Sequence, residues 1–307
     1  MIPPPPQLSV LIPTYNFDCT PLAEALSRQA AGMDIGVEIL VGDDGSTRTD
    51  IVRRIDECAR LPYVRLVRPA SNIGRSAIRN RLFRESRGRH LLFLDSDGLP
   101  ADDAFLSRYA EAAGRHSRGV VCGGIVHPEQ QPSPTVGLRW RYEKAAEKHF
   151  TQTWKEAHPY DCFRSFSFLI DRDSFSSILF DESIRHYGFE DVLFGRQLQE
   201  WRIPVYHIPN PLVNTDIETN EVYLRKNEEA LRTLAAHFGK LHDAVRITGV
   251  WKRLRALHLC PPLSLAFRLL RPMLLHNLLG NRPSVFLLNF YKLGYLNQVM
   301  RKNGANG

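Results

Sequence analysis

The residues best able to do chemistry in this sequence are acids that end apolar runs. Asp95-Ser96-Asp97 follows Leu91-Leu92-Phe93-Leu94. In strand-like backbone, residues two apart face the same side, so both carboxylates are expected to point at one place. Two carboxylates with few counter-charges suit Mg2+ or Mn2+, which take oxygen ligands and usually share them with substrate phosphates. Taken alone, the triplet fits a helix cap or an Asx turn before Leu99-Pro100 equally well. Asp43-Asp44-Gly45-Ser46 closes a second apolar run, residues 37–41. A carboxylate there can accept the imide N–H of uracil or bond a ribose hydroxyl. A strand-to-helix turn capped by Ser46 or Thr47 explains the same residues.

Two further sets carry charge. Arg75 and Arg79 follow Asn72-Ile73-Gly74 and share a helix face. Guanidinium groups near a helix N-terminus make a diphosphate site. A solvated basic helix is the plainer account, since Arg81, Arg84, Arg87 and Arg89 follow. Glu190-Asp191 precedes Val192, Leu193 and Phe194. Acids favour a helix N-terminus, and one of them can equally serve as a general base toward an acceptor hydroxyl. His127, His158 and His186 lack paired spacing and are not expected to hold a metal.

These residues need a frame, and the apolar pattern supplies one. Short apolar runs at 8–13, 37–41, 63–67, 90–94, 120–122, 166–170 and 205–208 read as strands. Between them, 21–31, 49–59, 75–87, 101–113 and 189–201 read as helices, with 218–238 as a long polar one. Thr20 is expected to cap the first helix, with Pro21 at its first position. Such alternation means βαβ units and a mainly parallel sheet, with ligands bound beyond the carboxyl ends of the strands. Thr14-Tyr15-Asn16, Asp43-Asp44 and Asp95-Ser96-Asp97 all fall at such ends. Residues 123–165, with Pro128, Pro132 and Pro134, read as an irregular insertion over that rim.

Composition bounds the rest. The chain has 307 residues, 43% hydrophobic and 24% charged, which excludes a mini-protein, a collagen and a polytopic membrane protein. Five scattered cysteines without a CxxC pair fit reduced thiols better than a disulfide framework or a zinc site. Pro3 to Pro6 form a stiff lead-in with no signal-peptide pattern, and no apolar run reaches the length of a membrane span. A cytoplasmic location is therefore expected. The net charge of +7 is uneven: residues 244–307 carry ten Lys and Arg and no acid. A near-neutral body with a basic end argues against nucleic acid and for a local device that meets a negative surface.

The order of the motifs goes beyond any one of them. An apolar strand ending in Thr-Tyr-Asn is followed by Asp-Asp-Gly-Ser, Asn-x-Gly-x-x-x-x-Arg-Asn, Asp-x-Asp and then Glu-Asp. At residues 8–16, 37–46, 72–80, 91–98 and 187–195 the chain resembles the family 2 glycosyltransferases of GT-A fold. The resemblance spans about residues 6–240 and implies a Rossmann-like α/β domain that inverts a sugar while moving it from a nucleotide-sugar to a hydroxyl. It implies that Thr14 and Tyr15 line the base and ribose, that Asp44 bonds uracil, and that Arg75 and Arg79 approach the diphosphate or its sugar. It further implies Asp95 near the ribose and donor sugar, Asp97 on Mn2+ or Mg2+, Asp191 as base and Glu190 orienting the acceptor. Two features depart from the family pattern. Asn214 stands near the place where many relatives have a metal-ligating His, while His207 lies within a strand. Gln197-Leu198-Gln199-Glu200-Trp201 has Glu200 where processive synthases have Arg, which argues against processive synthesis.

The expected organisation is a glycosyltransferase domain over 1–243 and a basic amphipathic helical tail over 244–307. Within the domain, about 6–122 would take the nucleotide-sugar and 123–243 the acceptor, a glycan or a lipid-linked hydroxyl in cell-surface polysaccharide or glycolipid synthesis. The tail is expected to meet an anionic membrane surface as a peripheral element, the alternative being that its helices pack on the catalytic domain. The rival readings are a nucleotide-sugar-binding or scaffold protein that keeps the fold without turnover, and a nucleotidyltransferase. The latter would carry a Gly-rich loop after the first strand, where Thr14-Tyr15-Asn16-Phe17 stands.

Overall fold

The computed structural model describes residues 6–216 and 218–304; of the expected proline lead-in, only Pro6 lies within them. Strands and helices alternate at first: β1 (Leu8–Thr14), α1 (Thr20–Ala31), β2 (Val37–Asp43), α2 (Thr49–Cys58), β3 (Val64–Val67), α3 (Arg75–Glu85), β4 (His90–Leu94). There follow β5 (Gly98–Pro100), α4 (Phe105–Arg115), β6 (Val120–Cys122), β7 (Ile125–Val126), α5 (Gly137–His149), α6 (Gln152–Ala157), β8 (Ser167–Asp171) and α7 (Arg172–Ile178). The chain continues through α8 (Glu190–Glu200), β9 (Val205–His207), β10 (Leu212–Asn214), α9 (Asn220–Ala236) and α10 (Phe238–Leu241). It ends with α11 (Arg246–Ala256), α12 (Cys260–Leu279) and α13 (Val285–Gly304).

Packing divides the chain into two units. The first comprises the residues up to Val126, with 150–185 and 194–216. Its main sheet has the order β3-β2-β1-β4-β8-β6-β9. Strands β1 to β4 are mutually parallel, β8 runs antiparallel to β4 and β6, and β9 is parallel to β6. The chain steps outward from β1 to β2 and β3, then returns to the other side of β1 at β4. The carboxyl ends of β1 and β4 therefore flank a topological switch point, where open α/β sheets leave a crevice. A small sheet, β5-β10-β7, lies in the same unit.

Both faces of the main sheet are covered, so its strands are apolar on both sides. Alternate residues serve alternate faces. Leu92 and Leu94 join Val10, Ile12, Ile39 and Val41 in one cluster, while Leu91 and Phe93 join Leu11 and Leu40 in the other. Each such side chain contributes roughly 1.5–3 kcal/mol on burial. That anchoring fixes where each strand ends, and hence where the polar residues after it stand.

The second unit comprises 127–149, 186–193 and the described residues after 217. Its core joins Leu138 of α5, Tyr223 and Leu224 of α9, Phe267, Leu274 and Leu278 of α12, and Leu288 and Tyr291 of α13. Residues 244–304 thus share a core with α5 and α9.

Two local expectations need correction. The segment 123–165 is not irregular, since it holds α5 and α6. Helix α5 lacks a readable apolar stripe, because Trp, Tyr, Lys and Glu dominate it and Leu138 is its one fully buried aliphatic side chain. Thr20 is the first residue of α1 and not its cap. Asp18 accepts the Thr20 N–H at 3.0 Å, and the Thr20 hydroxyl donates instead to the carbonyl of Arg54. All five cysteines are free thiols.

Candidate active site

The carboxyl ends of β1 and β2 are tied together by side chains. Thr14 and Asp43 are partners in register. Beyond them Asn16 adopts a positive φ of 52° and its side-chain oxygen accepts the N–H groups of Thr47 and Arg48 at 2.8 and 3.0 Å. Its own N–H donates to Ser46 Oγ at 2.8 Å. Asn is among the few residues that tolerate this conformation, and here it locks one rim loop onto the other. Thr14 is buried and donates to the Phe17 carbonyl, while Tyr15 stands exposed on the rim.

The paired acids at the end of β2 divide their work. Asp43 accepts the Ser46 N–H and pairs with Arg68 at 2.8 Å, so it holds the turn. Asp44 is buried and accepts the N–H groups of Ile73 and Gly74 at 2.8 and 2.9 Å. Burial pushes its pKa up, against the pull of those two bonds. Each carboxylate oxygen keeps further lone-pair capacity. Gly45 allows the approach, for a Cβ there would meet Asn72 N at 2.7 Å in a backbone with φ of 74°.

This loop delivers the start of α3. Arg75 is 43% exposed and lies 3.6 Å from Asp95. Arg79 is 1% exposed and is ion-paired to the other Asp95 oxygen, with Phe180 beneath its guanidinium at 5.5 Å. The two arginines expected side by side on a diphosphate therefore differ: Arg75 reaches the surface, and Arg79 is the buried counter-charge that positions Asp95. Arg79→Met is expected to destabilise the fold by about 3 kcal/mol, the low end for an orphaned buried charge, because Asp95 keeps Arg75 and is 18% exposed. Arg75→Gln is expected to change stability by less than about 0.5 kcal/mol. Urea midpoints of the two variants check the contrast.

Asp95 and Asp97 are not in strand backbone, so the two-residue periodicity does not place them. They lie in a turn closed by the Gly98 N–H onto the Asp95 carbonyl at 3.2 Å. The Asp97 carbonyl accepts both the N–H and the hydroxyl of Thr215 at 2.8 Å. Gly98 is required because a Cβ would sit 2.1 Å from Leu212 Cδ2. This clasp brings Asn214 beside the turn, as the register partner of Gly98. Asn214 is buried, its oxygen accepts the Asp216 N–H at 2.9 Å, and its side-chain N–H2 group has no hydrogen-bond partner among the described residues. It offers a free donor beside the Asp97 turn. His207 lies within β9, as read from sequence, and bonds the Pro159 carbonyl at 2.9 Å.

Among the described residues no group of three or more His, Cys, Asp or Glu side chains could hold a metal. The oxygen chemistry of Asp97 still fits a Mg2+ or Mn2+ ion, which commonly takes one or two carboxylates and fills the rest with water and substrate phosphate.

Glu190 and Asp191 open α8 in the second unit. Glu190 is buried, and Asp191 accepts the Val192 N–H at 2.8 Å. The approach to them is strained: Gly188 and Phe189 have φ of 104° and 69°. A left-handed Phe is a genuine outlier that surrounding contacts must enforce. Tyr187 provides them, since its N–H donates to Glu229 and its carbonyl accepts the Thr233 hydroxyl. A Cβ on Gly188 would meet the Ala230 methyl at 2.6 Å. Sequence reading named Asn16 at the end of its strand without its role in locking the two rim loops, and it missed the left-handed Phe189, which lies inside the motif at 187–195.

Comparison with known proteins is decisive at the family level. Residues 9–175, more than half the chain, match the model of Glycosyl transferase family 2. The chain belongs to that family. It is 32% identical over 100 residues to an N-acetylglucosaminyltransferase of Bradyrhizobium sp. (strain ANU 289), covering 32% of this chain and 65% of that protein. It is 31% identical over 101 residues to one of Rhizobium leguminosarum bv. phaseoli, covering 32% and 23%. The match thus spans less than two thirds of these relatives. Among solved structures, the mannosyltransferase PcManGT from Pyrobaculum calidifontis, in complex with GDP-Man and Mn2+, aligns with a TM-score of 0.59 at 15% identity over 98% of this chain and 87% of that one. S. aureus TarS 1-349 in complex with UDP-GlcNAc aligns at 0.50 and 16% identity over 98% and 92%. The fold of this family 2 chain is GT-A-like, as its motifs implied. The family match includes every rim residue from Thr14 to Asp97, and Glu190, Asp191 and Asn214 lie beyond it.

Proposed function

We propose that this family 2 chain transfers a sugar, with inversion, from a UDP-sugar to an acceptor hydroxyl on a glycan or lipid-linked molecule. One observation carries the reading. Asp44, Arg75, Asp95 and Asp97 gather at the carboxyl ends of β2 and β4 and the start of α3, around the β1/β4 switch point. That collection suits a nucleoside diphosphate-sugar: carboxylates for imide and hydroxyl groups, an exposed guanidinium for phosphate, and a hard oxygen donor for a divalent ion.

Thr14 and Tyr15 line the base and ribose, and the spare lone pairs of Asp44 accept the uracil imide. Arg75 meets the diphosphate, with Arg79 holding Asp95 toward the ribose and donor sugar. Asp97 would hold Mn2+ or Mg2+, whose charge offsets that of the departing diphosphate. The unpaired N–H2 group of Asn214 supplies a donor for a phosphate oxygen where a further metal ligand would otherwise stand. In the transfer itself, the acceptor oxygen attacks the anomeric carbon as its proton passes to the Asp191 carboxylate. The bond from that carbon to the diphosphate oxygen breaks, and the nucleoside diphosphate leaves with the electron pair. Glu190 orients the acceptor. One displacement inverts the anomeric centre. Cell-surface polysaccharide or glycolipid synthesis is the setting this chemistry fits.

The curated relatives are named N-acetylglucosaminyltransferases, so UDP-N-acetylglucosamine is the first donor to test. The test is a screen of UDP-, GDP- and dTDP-sugars with Mn2+ or Mg2+, reading released nucleotide. Release from a UDP-sugar alone is the expected result. Nucleotide-sugar binding without release from any donor, even with acceptor present, would leave a binding protein in its place. By calorimetry, UDP is expected to bind at least about tenfold more tightly than GDP, the worth of one good hydrogen bond to a charged group. Asp44→Ala should erase that preference.

A further inference from the structure

Helix α12 is apolar on two faces. One face is spent: Phe267, Leu274 and Leu278 are buried against α9 and α13. The other is not. Leu265, Leu269, Met273 and Leu279 recur at helical spacing and are exposed, Leu269 at 68% and Met273 at 54%. Phe286 at the start of α13 is 78% exposed. A helix apolar all round belongs in a protein core or a lipid phase, and a ridge of this kind in water asks for a cover. No helix among the described residues is long and apolar enough to cross a membrane, so a span is not that cover.

Charge indicates what the cover is. Beside the ridge, α12 and α13 enclose a groove of about 920 Å3 lined by Leu265, Arg268, Arg271, Pro272, Arg301 and Lys302, among others. Arg268 and Lys302 are exposed; Arg271 lies 3.9 Å from Glu228, and Arg301 donates to Ser264 Oγ at 2.9 Å. Residues 244–307 contain ten Lys and Arg and no acid. A water-facing or protein-facing rim usually mixes signs, and protein interfaces favour Tyr and Trp at their centres. Here the exposed groups are aliphatic, with one Phe, and the groove lining holds Arg and Lys with no acid, Glu228 beside Arg271 lying outside that lining. That is the composition of a helix lying in the interface of an anionic bilayer.

We propose that the outer ridge of α12, Phe286 and the basic groove beside them form a docking surface for an anionic lipid bilayer. Leu265, Leu269, Met273, Leu279 and Phe286 enter the acyl boundary. Arg268, Arg271, Arg301 and Lys302 meet lipid phosphates, with the groove accommodating a headgroup. The proposal uses none of the residues assigned to sugar transfer and stands or falls separately from that reading.

The test is co-sedimentation of the full chain with phosphatidylcholine vesicles, with and without phosphatidylglycerol. The protein is expected to sediment with the anionic vesicles only, and less so as salt rises. Leu269→Glu/Met273→Glu and Arg268→Glu/Lys302→Glu replace exposed side chains, and unchanged thermal melts confirm that both variants fold. Removing two basic charges alone is expected to weaken partitioning about thirtyfold, and reversing them more. Wild-type sedimentation equal on both vesicle types, or none on either, would overturn the proposal. So would folded variants that bind like wild type. A dimer seen by analytical ultracentrifugation and lost in Leu269→Glu/Met273→Glu, without vesicle binding, would assign the face to a second copy of the chain. Stabilisation by inorganic phosphate without vesicle binding would reduce the groove to an anion site.

Discussion

Asp97→Ala is expected to lower sugar transfer by about a thousandfold, comparable with removing a principal electrostatic stabiliser of a leaving group. The protein should stay folded. The turn bearing Asp97 is clasped through its carbonyl, which accepts both the N–H and the hydroxyl of Thr215, and alanine keeps that carbonyl. The Gly98–Asn214 pairing behind it is likewise main-chain. Turnover of wild type and variant, measured across a Mn2+ titration, checks the claim. Wild type should lose activity to a chelator and regain it with metal, and the variant should respond to neither. Full wild-type turnover in excess EDTA would remove the metal from the mechanism.

Asp191→Asn is expected to reduce transfer by about a hundredfold to ten-thousandfold, the usual worth of a general base, with donor binding unchanged. Asp191 accepts the Val192 N–H at 2.8 Å, and an asparagine oxygen can do the same, so the start of α8 persists. What disappears is the capacity to take a proton. Single-turnover rates beside calorimetric donor affinity separate the two effects. Glu190→Gln supplies the control: Glu190 is buried, and its loss is expected to raise acceptor KM more than it lowers kcat. A reversed result, with Asp191→Asn near wild type and Glu190→Gln inactive, would transfer the role to Glu190.

Much of this was legible in the chain itself. Short two-faced apolar strands alternating with helices dictate a mainly parallel sheet, because each strand must bury both faces. The sheet then fixes that Thr14 and Asp43 end their strands and that Asp44 and Asp95 directly follow theirs. The order of these motifs also carried the family, since no single one is specific. Sequence could not say what each acid or arginine touches. Arg75 and Arg79 read alike, four residues apart, yet one reaches solvent and the other is sealed under Asp95 against Phe180. Asp43 and Asp44 are adjacent, yet one pairs with Arg68 and the other holds the loop at Ile73 and Gly74. The strand-like reading of Asp95 and Asp97 failed because a turn, clasped by Thr215 from over a hundred residues away, overrides the local alternation. The left-handed Phe189 likewise depends on distant partners, Glu229 and Thr233, which hold the neighbouring Tyr187. Local pattern sets which residues lie in strands and helices, because burial periodicity is a property of neighbours along the chain. The pairing of charges and the completion of hydrogen bonds depend on segments that meet only when the sheet and its loops have closed.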